Sequence, residues 1–186
     1  MRIISGTARG RHLLTPRNYR VRPTADRVKE ALFNILMGLV DFPGCRVLDL
    51  FAGTGNLGIE SLSRGAGVAV FVDSHQESVA LIRKNLSLFD IETLGRIVVR
   101  DAVTALEVLE KEGEQFDLVF LDPPYGHGLA EKVLNKLADS SLLHAGSVVV
   151  AEVSSREDMP DAFGRLLQFD RRVYGDTALV FFSPDE

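Results

Sequence analysis

The sequence predicts an α/β fold: a mostly parallel seven-stranded sheet with helices on both faces, ending in an antiparallel hairpin. Three observations predict it. Short apolar runs alternate along the chain with segments whose apolar residues recur at helical spacing. Runs such as VAVF, from Val68, are continuous rather than alternating, as in strands buried on both sides. Successive runs also lead into acidic or glycine-bearing turns, at the strand ends where sheets of this kind collect ligands.

Residues 1–22 read as a short β extension, with strands near 1–5 and 11–15 around a glycine turn. Pro23 and Thr24 precede a helix that starts near Ala25. Thr24 serves as its N-cap, and Val28, Ala31, Leu32, Ile35, Leu36 and Leu39 form its apolar stripe. The first strand of the sheet is 46–51 (RVLDLF), followed by a glycine loop and a helix over 56–63. A strand at 68–73, a helix at 77–88, a strand at 96–100 and a helix at 104–110 follow. Next come a strand at 117–121, a helix at 129–138 and a strand at 147–152. The runs 166–173 and 178–182 flank Tyr174-Gly175-Asp176-Thr177 and form the hairpin. Two parts result: a basic extension, 1–22, and a main domain, 23–186.

Composition narrows the classes. Of 186 residues, 46% are hydrophobic and 25% charged, and such a chain buries a core without covalent staples. The single cysteine, Cys45, excludes an internal disulfide and points to packing rather than a zinc site. His12, His75, His127 and His144 are scattered without metal-ligand spacing, so no metal is expected. No apolar run reaches membrane-spanning length, and Arg2, Arg9 and Arg11 interrupt any leader-like stretch, which points to the cytoplasm. The net charge of −5 hides an asymmetry: residues 1–30 carry +6 and the remainder −11. A basic arm on an acidic body suits a surface that meets a polyanion, and solvated basic residues are the plain alternative. Arg9, Arg11, Arg17, Arg20 and Arg22 are the candidate contacts to such a polyanion.

The strand ends carry the chemistry. Asp49-Leu50-Phe51-Ala52-Gly53-Thr54-Gly55-Asn56-Leu57-Gly58 contains G-x-G-x-x-G, with Asp73 twenty residues after Gly53. This matches a dinucleotide fingerprint, but Asp49 would set a like charge against a pyrophosphate. The same carboxylate suits a ligand with an ammonium and a sulfonium, which favours S-adenosylmethionine over a nicotinamide cofactor. Asp49, Ala52, Gly53 and Gly55 are therefore candidate cofactor contacts. Asp73 is placed to accept from ribose hydroxyls, or else to cap the helix that follows. Asp101 and Ala102 are placed to reach the adenine, or else Asp101 caps its own helix.

The next strand ends in Asp122-Pro123-Pro124-Tyr125. An exocyclic amine on a nucleobase is a poor nucleophile because its lone pair is delocalised into the ring. Accepting hydrogen bonds from its two N–H groups turns the developing lone pair toward a methyl donor. Asp122 accepts one, the Pro123 carbonyl accepts the other, and two prolines hold that carbonyl still. Tyr125 offers a flat face to an extruded base. Asp122, Pro123 and Tyr125 are the candidate catalytic residues.

On these residues the chain resembles the amino-methyltransferases with a D-P-P-Y signature. It is similar over nearly its whole length to the RsmD family of bacterial small-subunit ribosomal RNA guanine-N2 methyltransferases. The resemblance rests on Arg2–Gly6 (RIISG), the block 22–34 (RPTADRVKEALFN), Asp49–Gly58, the segment 62–66 (LSRGA), Asp122–Tyr125 and the segment 172–177 (RVYGDT). It implies a Rossmann-like S-adenosylmethionine-dependent methyltransferase fold and methylation of a guanine N2 in a loop of 16S rRNA. It also implies a substrate within assembled ribosomal particles, a cytoplasmic monomer, and a cofactor site that includes Thr24 and Arg27. Asp73 stands where Glu is commoner in the family, and Asn56 replaces a small residue. Adenine-N6 enzymes acting on DNA or RNA share the four-residue signature, so the base stays open at this point. A non-catalytic RNA-binding protein on the same fold is the alternative from another class.

Overall fold

The computed structural model describes residues 1–16, 23–124 and 128–185, and the side chains of 23–25 are outside that description. Helix α1 (Pro23–Leu36) leads into β1 (Arg46–Leu50), α2 (Asn56–Ser63), β2 (Val68–Val72) and α3 (Gln76–Leu88). A 3-10 turn at Glu92–Leu94 precedes β3 (Gly95–Val98), α4 (Ala102–Lys111), β4 (Phe116–Leu121), α5 (Leu129–Ala138) and β5 (Leu143–Ser154). The chain ends with β6 (Ala162–Phe163), β7 (Leu166–Tyr174) and β8 (Thr177–Pro184).

These strands form one sheet in the order β3-β2-β1-β4-β5-β8-β7-β6. The first five pair in parallel, and β8, β7 and β6 add antiparallel strands. The sheet has eight strands where seven were predicted, because the two-residue β6 is too short to leave a periodic signal. The chain moves outward from β1 through β2 to β3, then returns to β4 on the other side of β1. That reversal opens a crevice beyond the carboxyl ends of β1 and β4.

Each face of the sheet has its own core. Leu48, Leu50, Val70, Val72, Val119 and Leu121 face α4 and α5. Val47, Ala69, Phe71, Leu118, Phe120, Val148 and Val150 face α1, α2 and α3. The odd–even split along each strand is the period-two geometry of a pleated chain. Cys45 is buried in the second core, where desolvation pushes its thiol up to about 12, so it packs as a hydrophobe.

Two local expectations change. Helix α1 opens at Pro23, whose fixed φ and missing N–H suit a first helical position, so Thr24 lies within the first turn rather than capping it. The two segments of the N-terminal extension do pair, but briefly: an isolated antiparallel bridge joins Arg2 to His12, flanked by Ile3 N–H donating to the Arg11 carbonyl at 2.9 Å and Leu13 N–H to the Met1 carbonyl at 3.2 Å, instead of two full strands. Further anchors come from α1, α2 and α3. No described helix is long and apolar enough to cross a membrane.

Candidate active site

Strand register gathers acidic groups at one end of the sheet. Asp49 on β1 lies abreast of Phe71 on β2 and Phe120 on β4, and Phe120 lies abreast of Val150 on β5. Two residues further along a strand the same face recurs. The next row on that face therefore carries Asp73, Asp122 and Glu152, whereas Phe51, just past the end of β1, packs against the core on the α4–α5 side. Phe51, Asp49, Asp122 and Glu152 line one cavity of about 600 Å³. Lys29 and Leu32 of α1, Ala52, Gly53, Asn56, His75 and Glu77 complete its cofactor-side wall, and Tyr174, Asp176 and Thr177 of the β7–β8 turn bound the other side.

The loop after β1 is braced from both sides. Gly53 N–H donates to Asp73 Oδ2 at 2.9 Å, and His75 N–H donates to Asp73 Oδ1 at 2.8 Å. Gly58 N–H donates to Asp49 Oδ2 at 2.9 Å. A side chain at Gly58 would collide with the Phe71 ring, so glycine there lets α2 sit directly on the sheet. Phe51 takes φ 62°, a left-handed backbone that a bulky residue adopts only under constraint, and such strain concentrates at ligand sites.

Electrostatics sets this corner apart. Burial raises the Asp49 carboxyl to about 7, with the Asp73 charge adding to the rise and the Gly58 N–H opposing it. Asp122 keeps an open face toward the cavity while the surrounding protein encloses the rest of its side chain. That enclosure, with the negative charges of Glu152 and Asp49, holds its carboxyl well above the ordinary carboxylate range. The wall gathers the Asp49, Asp122 and Glu152 carboxyls, whose ionisation a pyrophosphate would oppose. A ligand bearing an ammonium and a sulfonium fits it.

Beside the glycine loop the same cavity carries a different arrangement. Lys29 is buried and its Nζ lies 3.1 Å from Glu60 Oε2. The same ammonium donates to the Arg2 carbonyl and, at 2.8 Å, to Asn56 Oδ1. Glu60 also accepts from Ile4 N–H at 2.8 Å, Ser5 N–H at 3.0 Å and Arg64 Nε at 2.9 Å. The N-terminal arm is thus pinned to α2 beside the cofactor loop. Gly6 (φ 81°) presses against the Ser63 carbonyl so closely that any side chain there would overlap it. Asn85 of α3 makes a second anchor, accepting from Leu14 N–H at 2.7 Å and donating to the Thr54 carbonyl at 2.9 Å.

The structure brings Asp49, Ala52, Gly53 and Asp122 together at the cavity, with Pro123 buried directly after Asp122. Gly55 and Asp73 shape the loop from behind. Asp101 caps α4, accepting from Thr104 N–H at 3.0 Å, and this bond holds its carboxyl below the usual range. Asp101, Ala102 and Arg27 lie outside the cavity lining. Arg9 is exposed on the arm, whereas the Arg11 guanidinium stacks 4.7 Å over Phe89 and donates to the Leu88 carbonyl at the end of α3. Tyr125, Arg17, Arg20, Arg22 and the Thr24 side chain lie outside the described residues. Sequence reasoning missed Lys29, Glu60, Glu152 and Asp176. Glu152 was legible as the acidic end of a strand two residues beyond Val150. Lys29 and Glu60 carry no motif, because their partners are 31 residues apart in the chain.

The strand order, the crevice beyond β1 and β4 and the glycine loop define the Rossmann-like S-adenosylmethionine-dependent methyltransferase fold. Residues 1–183 match the family model described as "Conserved hypothetical protein 95", and the chain belongs to this family. Ribosomal RNA small subunit methyltransferase D of Escherichia coli is 36% identical over 98% of this chain and 89% of its own length. The protein of that name from Haemophilus influenzae is 36% identical over 86% of this chain and 81% of its own. Among solved structures, yhhF of Escherichia coli superposes with a TM-score of 0.86 at 32% identity, covering 100% of this chain and 98% of that one.

Proposed function

We propose that the protein transfers a methyl group from S-adenosylmethionine to the exocyclic N2 amine of a guanine in small-subunit ribosomal RNA. The observation that carries the reading is the meeting of Asp122-Pro123 at the end of β4 with Asp49 and the glycine loop at the end of β1, around one cavity. The relatives named for small-subunit rRNA methylation cover nearly the whole chain and support the same substrate class.

S-adenosylmethionine, when bound, supplies an electrophilic methyl carbon on a positively charged sulfur. Asp49, Ala52 and Gly53 form its side of the cavity, and the carboxyls of the wall offset its charge. Asp73 braces the loop and retains acceptor capacity at its carboxylate for ribose hydroxyls. Asp122 accepts from one N–H of the base amine, and the Pro123 carbonyl accepts from the other. The N2–carbon bond forms as the carbon–sulfur bond breaks, leaving a neutral thioether. The nitrogen then carries one proton too many, and the raised affinity of Asp122 for protons suits it to take that proton and pass it to water. The rate enhancement is mainly positioning. Residues 1–22 form the RNA-gripping arm, with Arg9, Arg17, Arg20 and Arg22 as its phosphate contacts, and 23–186 form the catalytic domain. The protein works in the cytoplasm as a monomer on assembled ribosomal particles.

The test uses small subunits from cells that lack this gene, incubated with the protein and methyl-labelled S-adenosylmethionine. Digestion of the RNA should release labelled N2-methylguanosine. Labelled N6-methyladenosine would overturn the choice of base. Absence of label from subunits and from naked RNA or DNA would favour a non-catalytic RNA-binding role.

A further inference from the structure

We propose that Glu152 is the residue that selects guanine, by accepting a hydrogen bond from the ring N1–H while Asp122 holds the neighbouring N2 amine. The inference rests on the reading of the cavity as an amino-methyltransferase site and concerns which base that site admits.

The geometry comes from register. Leu121 of β4 lies abreast of Ala151 of β5 in the parallel pairing, so Asp122 and Glu152 are the next residues of adjacent strands. Period two puts both on the face that carries Phe120 and Val150, and both line the cavity. The Glu152 charge also raises the proton affinity of Asp122. The site thus presents two carboxylates side by side where a lone aspartate would suffice to orient an amine.

Base chemistry says what the second one is for. In adenine the N6 amine is flanked by N1 and N7, both lone-pair acceptors. In cytosine the N4 amine is flanked by the N3 acceptor and a C–H. In guanine alone is the amine flanked by a ring N–H, at N1. A carboxylate beside Asp122 therefore gains a charge-assisted hydrogen bond from guanine and meets a lone pair on adenine or cytosine. Selectivity of this kind is strong because the mismatched base leaves a desolvated carboxylate facing an acceptor. Glu152 is thus a specificity residue, and the reacting atoms are handled by Asp122 and Pro123.

2-Aminopurine tests the contact: it keeps the reactive C2 amine, replaces N1–H with an acceptor and lacks the C6 carbonyl, so the Glu152 variant is needed to assign the N1 part of any preference. Small subunits would be reconstituted with 16S rRNA made by splinted ligation, bearing guanine or 2-aminopurine at the nucleotide the wild-type protein methylates. Wild type should prefer guanine in kcat/KM by roughly 10- to 100-fold. Glu152→Gln presents an amide that accepts from N1–H more weakly and donates to a bare N1. It should slow guanine methylation, raise 2-aminopurine methylation above wild type, and bring the ratio to within about threefold. The rise on the analogue is a gain that a merely structural role would not produce. Binding of S-adenosylhomocysteine reports that the variant is folded. An unchanged ratio in Glu152→Gln, or a ratio erased by Asp176→Asn in its place, would overturn the proposal. Failure of wild type to form N2-methylguanosine would strike the functional reading itself, a separate outcome.

Discussion

Glu60 and Asp49 are both buried carboxylates on the α1–α2–α3 side of the sheet, and they are treated in opposite ways. Glu60 meets Lys29, Arg64 and two backbone N–H groups of the arm, so its charge is neutralised within the chain. Among the described residues Asp49 accepts one hydrogen bond, from Gly58, and Asp73 adds to the negative field around it. A structural charge is closed off by the protein itself. A functional charge is left for a ligand to complete.

The largest effect should come from the open region. Asp122→Ala removes the acceptor for the base amine and should lower turnover by about 10³-fold or more. Its affinity for S-adenosylhomocysteine, measured by calorimetry, should stay within about threefold of wild type. Loss of cofactor binding in this variant would put Asp122 in the wrong half of the cavity.

In the closed region the expected damage is to stability. Glu60→Ala leaves Lys29 and Arg64 without their anion and orphans the Ile4 and Ser5 N–H groups. Breaking a buried network in this way costs about 3–5 kcal/mol, which lowers Tm by roughly 10 °C in a chain of this size. Hydrogen exchange at Ile4 and Ser5 should accelerate before the sheet opens, because the arm loses its anchor. A Tm within 2 °C of wild type would mean that the network contributes little and that the comparison with Asp49 fails.

How far the sequence revealed this follows the same division. Strands and helices of the sheet were legible because their signals are local: continuous apolar runs for β2, β4 and β5, and helical spacing for α1. The two aspartates of the cavity were legible because each lies at a strand end, and strand order then brings Asp49 and Asp122 together. Asp101 was legible only as one of two roles, and its bond to Thr104 shows the cap. The arm was misjudged as two strands because its order derives from Glu60 and Asn85, 56 and 71 residues away in sequence from the groups they hold. Arg11 counted as a phosphate contact by charge alone, whereas Phe89 and the end of α3 occupy it. Non-local polar anchors leave no periodicity and no motif.

The sharpest test of the open carboxylate uses pH. In the folded protein Asp49 holds its proton up to about 7, while in the unfolded chain it ionises near its ordinary value of 3.8. The folded state therefore binds the extra proton between those values, and its stability falls as pH rises through that window. At pH 8 the ionised carboxylate is a cost that a cationic ligand offsets. Asp49→Asn keeps the shape and removes the charge. Without ligand it should melt roughly 3 °C or more above wild type at pH 8, by a smaller margin at pH 5, and close to wild type only near pH 3.8 and below, where the carboxyl is protonated in the folded and the unfolded chain alike. Its affinity for S-adenosylhomocysteine, which bears the amino acid ammonium, should be about tenfold weaker at pH 8. That deficit should shrink as pH falls below 7, since wild type then loses the same charge. A deficit equal at both pH values would show that the ammonium is held elsewhere, and Asp49 would then be a support for Gly58 alone.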